Sequence, residues 1–271
     1  MLLIGSFFFL FVGFIINSIS QKRLLVKSKF LINNHHALAM VGLNVFGKYI
    51  PGKVWMVMGK AVYLSENLNF PVASLSLLFL NAQIIGLWCG LILGILGLFL
   101  NNALHLLSWA GLIILIFFTV IMFSKTAHDT ILNKVNKLLR KNLNLPLLSI
   151  HDTISLIPWF FGGWIFWGVG FFLLASSISN NSLPFSTIFC FPLAGTLGIL
   201  FIFAPGGIGI REGIMIGYLS TLNITLPEAI TISAASRLWF IIGEIFIFAT
   251  GYIAHRRQSF SPVIHNKVNS E

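Results

Sequence analysis

Long apolar runs with few charged residues are the feature that most limits how this chain can fold. Of the 271 residues 57% are hydrophobic and 9% are charged, and the mean hydropathy is +0.92. About a quarter of the residues are charged in a typical soluble domain. Since roughly 20 apolar residues let a helix cross a bilayer core, the pattern predicts an all-α, polytopic integral membrane protein. The runs are Leu2–Ile19, Ala37–Leu64, Phe70–Leu100, Leu104–Phe123, Ile154–Ile178, Phe185–Leu222 and Ala229–Ala254.

Basic residues are concentrated in three of the segments between these runs. Most of the 17 Lys and Arg residues lie in 21–34, in 124–153 and in the tail 255–271, whereas the other connectors contain none. Loops rich in Lys and Arg face the cytoplasm, so we expect a cytoplasmic-type (inner) membrane with the C-terminus inside. The formal net charge of +10 follows from this topology and from the anionic leaflet. It does not indicate a nucleic-acid partner, because no basic stripe with interleaved exposed aromatics is present.

The same charge map predicts that two of the runs return to the side from which they enter. Because the first run ends inside and the run from Phe70 starts inside, segment 37–64 is expected to be a re-entrant hairpin with Pro51-Gly52 at its break. Segment 185–222 begins and ends outside, with a Pro-Gly-Gly at its break. Paired broken segments in two halves of a chain indicate a transporter site. The prediction is therefore one domain, 1–254, with about five full spans and two oppositely inserted hairpins; ordinary kinked crossings are the alternative.

A few charged residues fall inside the apolar runs. A charge near the bilayer centre costs about 2.5–3.5 kcal/mol on insertion scales, so such residues are functional candidates. The glycine-rich bend 205–209 precedes Arg211, and a helix start with a guanidinium group suits a phosphate. The alternative for Arg211 is an internal salt bridge with Glu212 or Glu244. The candidate substrate-binding residues are Lys48, Tyr49, Pro51, Gly52, Lys53, Pro205, Gly206, Gly207, Arg211, Glu212, Arg237 and Glu244.

Other patterns within the runs concern packing. Arg237 and Glu244 are seven residues apart and share a helix face, so they form either a buried pair that locks the last span to the second hairpin or a gate. Glycines recur at every fourth position from Gly209 and again from Gly86, which predicts two smooth ridges for close helix packing. Lys60 is expected to snorkel to the cytoplasmic surface.

The basic loop 124–153 alternates basic and apolar residues. This pattern predicts an amphipathic helix on the anionic leaflet more strongly than it predicts a docking site. Catalytic signals are weak, since the His-His and His-Asp pairs lack metal-ligand spacing and no nucleophile elbow or zincin helix is present. Cys89 and Cys190 lie in apolar runs and are interpreted as small buried hydrophobes. We therefore expect no enzyme, no metal and no cofactor.

Three motifs together resemble the flippase-like, lysylphosphatidylglycerol synthase transmembrane-region family, best known from the membrane half of the multiple peptide resistance factor. They are KYIPGKVW at 48–55, PGGIGIREG at 205–213 and an SR…GE pattern that ends at Glu244. The resemblance covers most of the chain, from the first span to Ala254. It implies a membrane protein tied to translocation of modified phospholipids or of lipid-linked sugars. Its residues are those in the candidate set above, apart from the two lysines.

The chain also departs from that family in two respects. It carries no cytoplasmic aminoacyl-transferring domain, so lipid synthesis is not expected. Its start resembles the second span of the family, which implies that an N-terminal helix is missing from the sequence.

Three hypotheses about function follow. The first is a flippase-like transporter that cradles an anionic phospholipid or lipid-linked saccharide between the two hairpins during cell-envelope biogenesis. The second is a non-transporting membrane partner of a glycosyltransferase, which docks through 124–153. The third is an intramembrane lipid-modifying enzyme that uses Glu212 or Glu244 as its base.

Overall fold

The structure is a computed structural model, and the part of the chain that it describes consists of helices and their connections. No β-strand occurs in that part, which confirms the all-α fold. Most of the basic loop and the tail beyond Ser259 lie outside the described residues, so the amphipathic helix stays a prediction. The described residues are 1–50, 54–101, 105–126, 129–130, 133–134, 148–201 and 204–259.

The helices alternate between long rods and short, paired pieces. Three short 3-10 turns, Val45–Tyr49, Phe185–Phe189 and Pro205–Gly207, accompany the short pieces. In chain order the helices are α1 (Leu2–Lys27), α2 (Asn34–Leu43), α3 (Val54–Leu68), α4 (Val72–Leu100), α5 (His105–Phe123), α6 (Ile150–Ile178), α7 (Cys190–Leu200), α8 (Ile210–Ser220) and α9 (Leu226–Ser259).

Helices α1, α4, α6 and α9 are each long and apolar enough to cross a membrane. The fifth expected span corresponds to α5, which is shorter at 19 residues. With a rise of about 1.5 Å per residue, the 26 residues of α1 exceed the hydrocarbon core of roughly 30 Å. The basic last turn of α1 therefore extends beyond the apolar layer.

Helices α1 and α6 lie side by side and run in opposite directions. Lys27 at the end of α1 forms an ion pair with Asp152 in the first turn of α6, with 3.2 Å between Nζ and Oδ1. Gly5 near the start of α1 faces Leu173 near the end of α6. We call the side of the molecule that carries Lys27 and Asp152 the basic end, and the other side the opposite end.

Helices α2 and α3, with the turn Val45–Tyr49, form the first hairpin. Its two outer ends meet at the basic end, where the Tyr63 hydroxyl lies 3.4 Å from His36 Nδ1 and 3.3 Å from His255 Nδ1. His36 is in the first turn of α2, and Tyr63 is late in α3. The chain therefore returns to the side from which it entered, as the charge map predicts.

Helices α7 and α8, with two of the 3-10 turns, form the second hairpin. The Tyr218 hydroxyl, late in α8, donates a hydrogen bond of 2.7 Å to the carbonyl oxygen of Ser186 at the hairpin's start. Gly97, near the end of α4, faces both Phe189 and Tyr218. Since α4 starts at the basic end, beside the loop that follows α1, its last turns mark the opposite end. The two hairpins thus enter from opposite sides.

Each hairpin packs against the long helix of the other half of the chain. A Cβ atom on Gly42 in α2 would lie 2.9 Å from the Cα of Gly251 in α9, so these backbones touch. In the same way, a Cβ on Gly94 in α4 would lie 2.8 Å from the Cβ of Leu193 in α7. The glycine ridge of α4 is therefore a close-packing surface, as predicted. The arrangement is that of an inverted repeat.

The second glycine ridge does not pack. Among the described residues, a Cβ atom on Gly209, Gly213 or Gly217 would meet no heavy atom within 4 Å. Helix α8 instead buries the face that carries Met215 and Tyr218, at 0% and 1% exposure. The expectation of close packing along this ridge was wrong, because spacing alone does not say which side of a helix faces the protein.

Candidate functional site

The tips of the two hairpins meet in the interior of the molecule. The ring of Tyr49, at the tip of the first hairpin, lies against Gly206 at the bend of the second. A Cβ atom on Gly206 would come within 2.7 Å of Tyr49 Cε1. Gly206 also has φ of +60°, a left-handed conformation that glycine adopts without steric cost. Glycine is thus required here both for backbone shape and for contact between the tips.

The bend of the second hairpin leads directly into α8. Gly207 and Gly209 also have positive φ, at +72° and +83°, which turns the chain sharply after Pro205. The carboxylate of Glu212 then accepts a hydrogen bond of 2.7 Å from the backbone N–H of Gly209. A carboxylate bound at this position caps an unsatisfied N–H group at the start of the helix. The glycine-rich bend therefore opens a helix, as predicted.

Glu244 of α9 holds the tip of the first hairpin. Its side chain is completely buried, and Lys48 Nζ donates to its Oε1 atom in an ion pair. The Tyr49 hydroxyl donates a hydrogen bond of 2.8 Å to Oε2. Both carboxylate oxygens are therefore used within the protein, which is the arrangement that a buried charge requires.

Arg237 of α9 holds the second hairpin in the same way. Its Nη1 atom donates to Oε1 of Glu212 over 2.6 Å, and about a quarter of each side chain is exposed. Arg237 and Glu244 do not pair with each other. The interpretation of these two residues as one buried pair is therefore wrong, although α9 is locked to the second hairpin through Arg237. A gating role for them stays a prediction.

Arg211 has neither of the partners that its sequence position suggests. Its guanidinium group lies over the rings of Phe191 and Phe240, 4.6 Å and 4.9 Å from their centroids. The Nη2 atom is buried and has no hydrogen-bond partner among the residues that the structure describes. Within those residues Arg211 forms no ion pair, because Glu212 binds Arg237 and Glu244 binds Lys48. The proposed internal salt bridge of Arg211 is therefore not formed.

The centre of the molecule consequently carries an excess of positive charge. Among the residues that the structure describes, three cations, Lys48, Arg211 and Arg237, face two carboxylates, those of Glu212 and Glu244. Stacking on aromatic rings favours a guanidinium by about 1–2 kcal/mol, but it does not cancel the charge. An unneutralised guanidinium with an unused N–H donor is a group that an anion can complete.

The structure places two of the remaining candidate residues, and the other three lie outside the described residues. Pro205 begins the bend, and Gly207 packs on the backbone of Gly198 in α7. Both shape the tip, and nothing in the structure tests whether they touch a substrate. Pro51, Gly52 and Lys53 lie outside the described residues.

Sequence reasoning missed two kinds of contact at the site. The first is the pair of rings under Arg211, of which only Phe240 could be suspected, since it lies one turn from Arg237 on the same helix. The second is Lys60, which does not snorkel to the surface but is 7% exposed and donates to Gln21 Oε1 over 2.9 Å.

The cysteines and potential metal ligands can also be placed. Cys89 and Cys190 are free and buried, as expected of small core residues. In the described ranges, no group of three His, Cys, Asp or Glu side chains comes together in a way that could hold a metal ion.

Comparison with known proteins places the chain in a family. The sequence model of the lysylphosphatidylglycerol synthase TM region matches residues 1–250. No curated protein matches the chain, and no solved structure matches it. The match spans both hairpins, helices α1, α4 and α6 and most of α9, and it indicates a membrane protein of lipid or cell-envelope processes. The chain therefore belongs to the lysylphosphatidylglycerol synthase transmembrane-region family.

Proposed function

We propose that this protein moves an anionic lipid, either a phospholipid or a lipid-linked saccharide, across the membrane in cell-envelope biogenesis. The observation that carries the proposal is Arg211, a half-buried cation whose buried Nη2 atom has no hydrogen-bond partner among the described residues, at the point where the two hairpin tips meet. A lipid phosphate would supply the missing negative charge and accept the free N–H, while the acyl chains stay in the surrounding lipid. Arg211 lies in the first turn of α8, where the helix dipole also favours an anion.

The geometry of the hairpins supports movement rather than simple binding. Each hairpin closes the site from one side of the molecule, and each tip is held by one ion pair to α9. Release of one tip would open the site to one side only, which is the requirement for alternating access. In this proposal the basic end faces the cytoplasm and the C-terminus is cytoplasmic, since Lys and Arg accumulate on that side. The membrane is the inner, cytoplasmic one.

The other two hypotheses are less well supported. An enzyme that uses Glu212 or Glu244 as its base needs a carboxylate free to take a proton, yet both are engaged by cations. The glycosyltransferase partner rests on the loop 124–153, most of which lies outside the described residues, so it stays a prediction.

The proposal is tested with purified protein in liposomes that contain fluorescent phosphatidylglycerol. A membrane-impermeant quencher reports how fast the lipid exchanges between leaflets, and fluorescent phosphatidylcholine reports unselective exchange. A hydrogen bond to a charged group contributes about 1.5–3 kcal/mol, so we expect Arg211→Gln to slow phosphatidylglycerol exchange roughly ten- to a hundredfold.

The matched control is Arg23→Gln. Arg23 is also an arginine stacked on an aromatic ring, 3.9 Å above Trp159, but it is exposed near the basic end. This variant should exchange lipid at the wild-type rate. A folded Arg211→Gln protein that is as fast as wild type would refute the proposal, and so would a wild-type protein that moves no phosphatidylglycerol.

A further inference from the structure

A buried cation lies between the centre and the basic end. Lys60 in α3 is 7% exposed, and its Nζ atom donates to the amide oxygen of Gln21 in α1 over 2.9 Å. The ammonium also lies 5.5 Å above the ring of Phe79 in α4. Within the described part of the chain it has no carboxylate partner. Among the described residues this ammonium therefore faces an amide and a ring but no counter-charge, and it has N–H donors to spare.

The position of Lys60 places it on the way from the basic end to Arg211. Counted along α3, it is about 9 Å from Val54 at the tip side, with a rise of about 1.5 Å per residue. One turn further on, Tyr63 contacts His36 and His255 where the two outer ends of the first hairpin meet. Lys60 therefore lies between these outer ends and the tip of the hairpin.

The distribution of charge gives this path a direction. Residues 61–124, 142–210 and 212–236 contain no Lys or Arg, and they include the segments that build the opposite end. Lys and Arg side chains thus occur at the basic end, at Lys60 and at the centre, but not in these segments of the opposite end. This distribution attracts an anion from the basic end as far as Arg211, and no Lys or Arg in these segments attracts it towards the opposite end.

We propose that Lys60 and Gln21 form a receiving site for the phosphate of an anionic lipid that arrives from the leaflet at the basic end. Lys60 supplies a point charge of the kind that binds phosphate, and the amide N–H₂ of Gln21 can donate to the same oxygens. The lipid then passes to Arg211. This inference rests on the proposed function and adds a second, earlier contact for the same substrate.

A purely structural role for the pair makes a different prediction. If Lys60 and Gln21 only bridge α3 and α1, Gln21→Glu strengthens the bridge, because a carboxylate of nearly the same shape replaces the amide. If the pair receives phosphate, the same change cancels the charge of Lys60 and repels the anion. Gln21→Glu therefore yields a stable protein in either case, but an impaired one only if the receiving site exists.

The first experiment measures lipid exchange in liposomes at increasing mole fractions of fluorescent phosphatidylglycerol. We expect Gln21→Glu and Lys60→Gln to raise the half-saturating lipid fraction about tenfold or more and to leave the maximal rate nearly unchanged. The controls are Asn34→Asp and Lys22→Gln. Lys22 also donates to an amide oxygen at the basic end, that of Asn34 over 2.7 Å, but this pair is exposed. The control variants should keep the wild-type half-saturation.

The second experiment reads binding without transport. Phosphatidylglycerol with a photoreactive headgroup is cross-linked to the protein, and the modified peptides are identified by mass spectrometry. We expect wild-type cross-links near Gln21 and Lys60 that are lost in Gln21→Glu. Unlabelled phosphatidylglycerol should compete, whereas phosphatidylcholine and inorganic phosphate should not; competition by inorganic phosphate would overturn the assignment to a lipid.

The two experiments separate this inference from the proposed function. Cross-links at Gln21 and Lys60 without any lipid exchange would refute translocation and leave the receiving site standing. Lipid exchange that depends on Arg211 but has an unchanged half-saturation and unchanged cross-links in Gln21→Glu would overturn the receiving site alone. Absence of both cross-links and exchange would overturn both.

Discussion

Arg237 and Glu244 lie seven residues apart on α9, yet they bind the tips of different hairpins. Glu244 accepts hydrogen bonds from the ammonium of Lys48 and the hydroxyl of Tyr49, whereas Arg237 donates to the carboxylate of Glu212. One helix therefore holds both hairpins closed, each by a single ion pair.

Loss of the buried carboxylate should strongly destabilise the closed first hairpin. Glu244→Gln leaves Lys48 without a counter-charge in a largely buried position, and removing one partner of such a pair costs about 3–5 kcal/mol. The double variant Lys48→Met with Glu244→Gln removes both charges and should recover a large part of that loss. Thermal unfolding of the four proteins in detergent measures the coupling. Additive losses would show that the pair does not hold the tip.

Loss of the second ion pair should cost less. Arg237→Gln leaves Glu212 bound to the N–H of Gly209, and the pair is about one quarter exposed. A hydrogen bond to a charged group contributes about 1.5–3 kcal/mol, and exposure to solvent reduces this value. We expect a loss of about 1–2 kcal/mol in the same unfolding assay. A loss as large as that of Glu244→Gln would contradict the ranking of the two pairs.

The contact between the tips predicts a sharp difference between two glycines. Gly206→Ala forces a side chain into the left-handed region, at a cost of about 1–2 kcal/mol, and pushes its Cβ into the ring of Tyr49. Gly213→Ala, the control, meets no atom of the described residues within 4 Å and should stabilise α8 by about 0.5–1 kcal/mol. Thermal unfolding compares the two. Equal stability of both variants would show that the tips do not touch.

Labelling of single cysteines tests whether the second hairpin returns to the side from which it enters. The native Cys89 and Cys190 are buried and should give a low background with an impermeant maleimide. Asn181→Cys, between α6 and α7, and Arg256→Cys, at the end of α9, are both at exposed positions. In sealed vesicles of one orientation, only one of them should react before the membrane is opened. Reaction of both from the same side would refute the topology.

The architecture could be predicted from the sequence because lipid imposes strict rules on a chain. Apolar length identifies the spans, and the distribution of Lys and Arg gives their direction. Together these rules located both hairpins, although the first runs from Asn34 to Leu68 rather than from 37 to 64. Helices α1, α6 and α9 also extend about one or two turns beyond the predicted apolar runs, since hydropathy does not detect where a helix continues into the interface.

The pairing of charges could not be predicted, because it depends on contacts between residues far apart in the chain. Lys48 and Glu244 are 196 positions apart, and no local pattern connects them. Arg211 and Glu212 are adjacent in the sequence, which suggested a salt bridge between them. The side chains of adjacent residues in a helix point in different directions, however. Lys60 was misjudged for a similar reason: a snorkelling lysine needs an open route to water, and α1 and α4 close that route through Gln21 and Phe79.

The attachment of both tips to α9 has a mechanical consequence. Seven residues of α-helix span about 10 Å, and a continuous helix neither stretches nor twists easily between two such points. A rotation of α9 that carries Glu244 away from the first hairpin must also turn Arg237 relative to the second. Opening one hairpin therefore strains the ion pair of the other hairpin, because the same helix carries one partner of each pair.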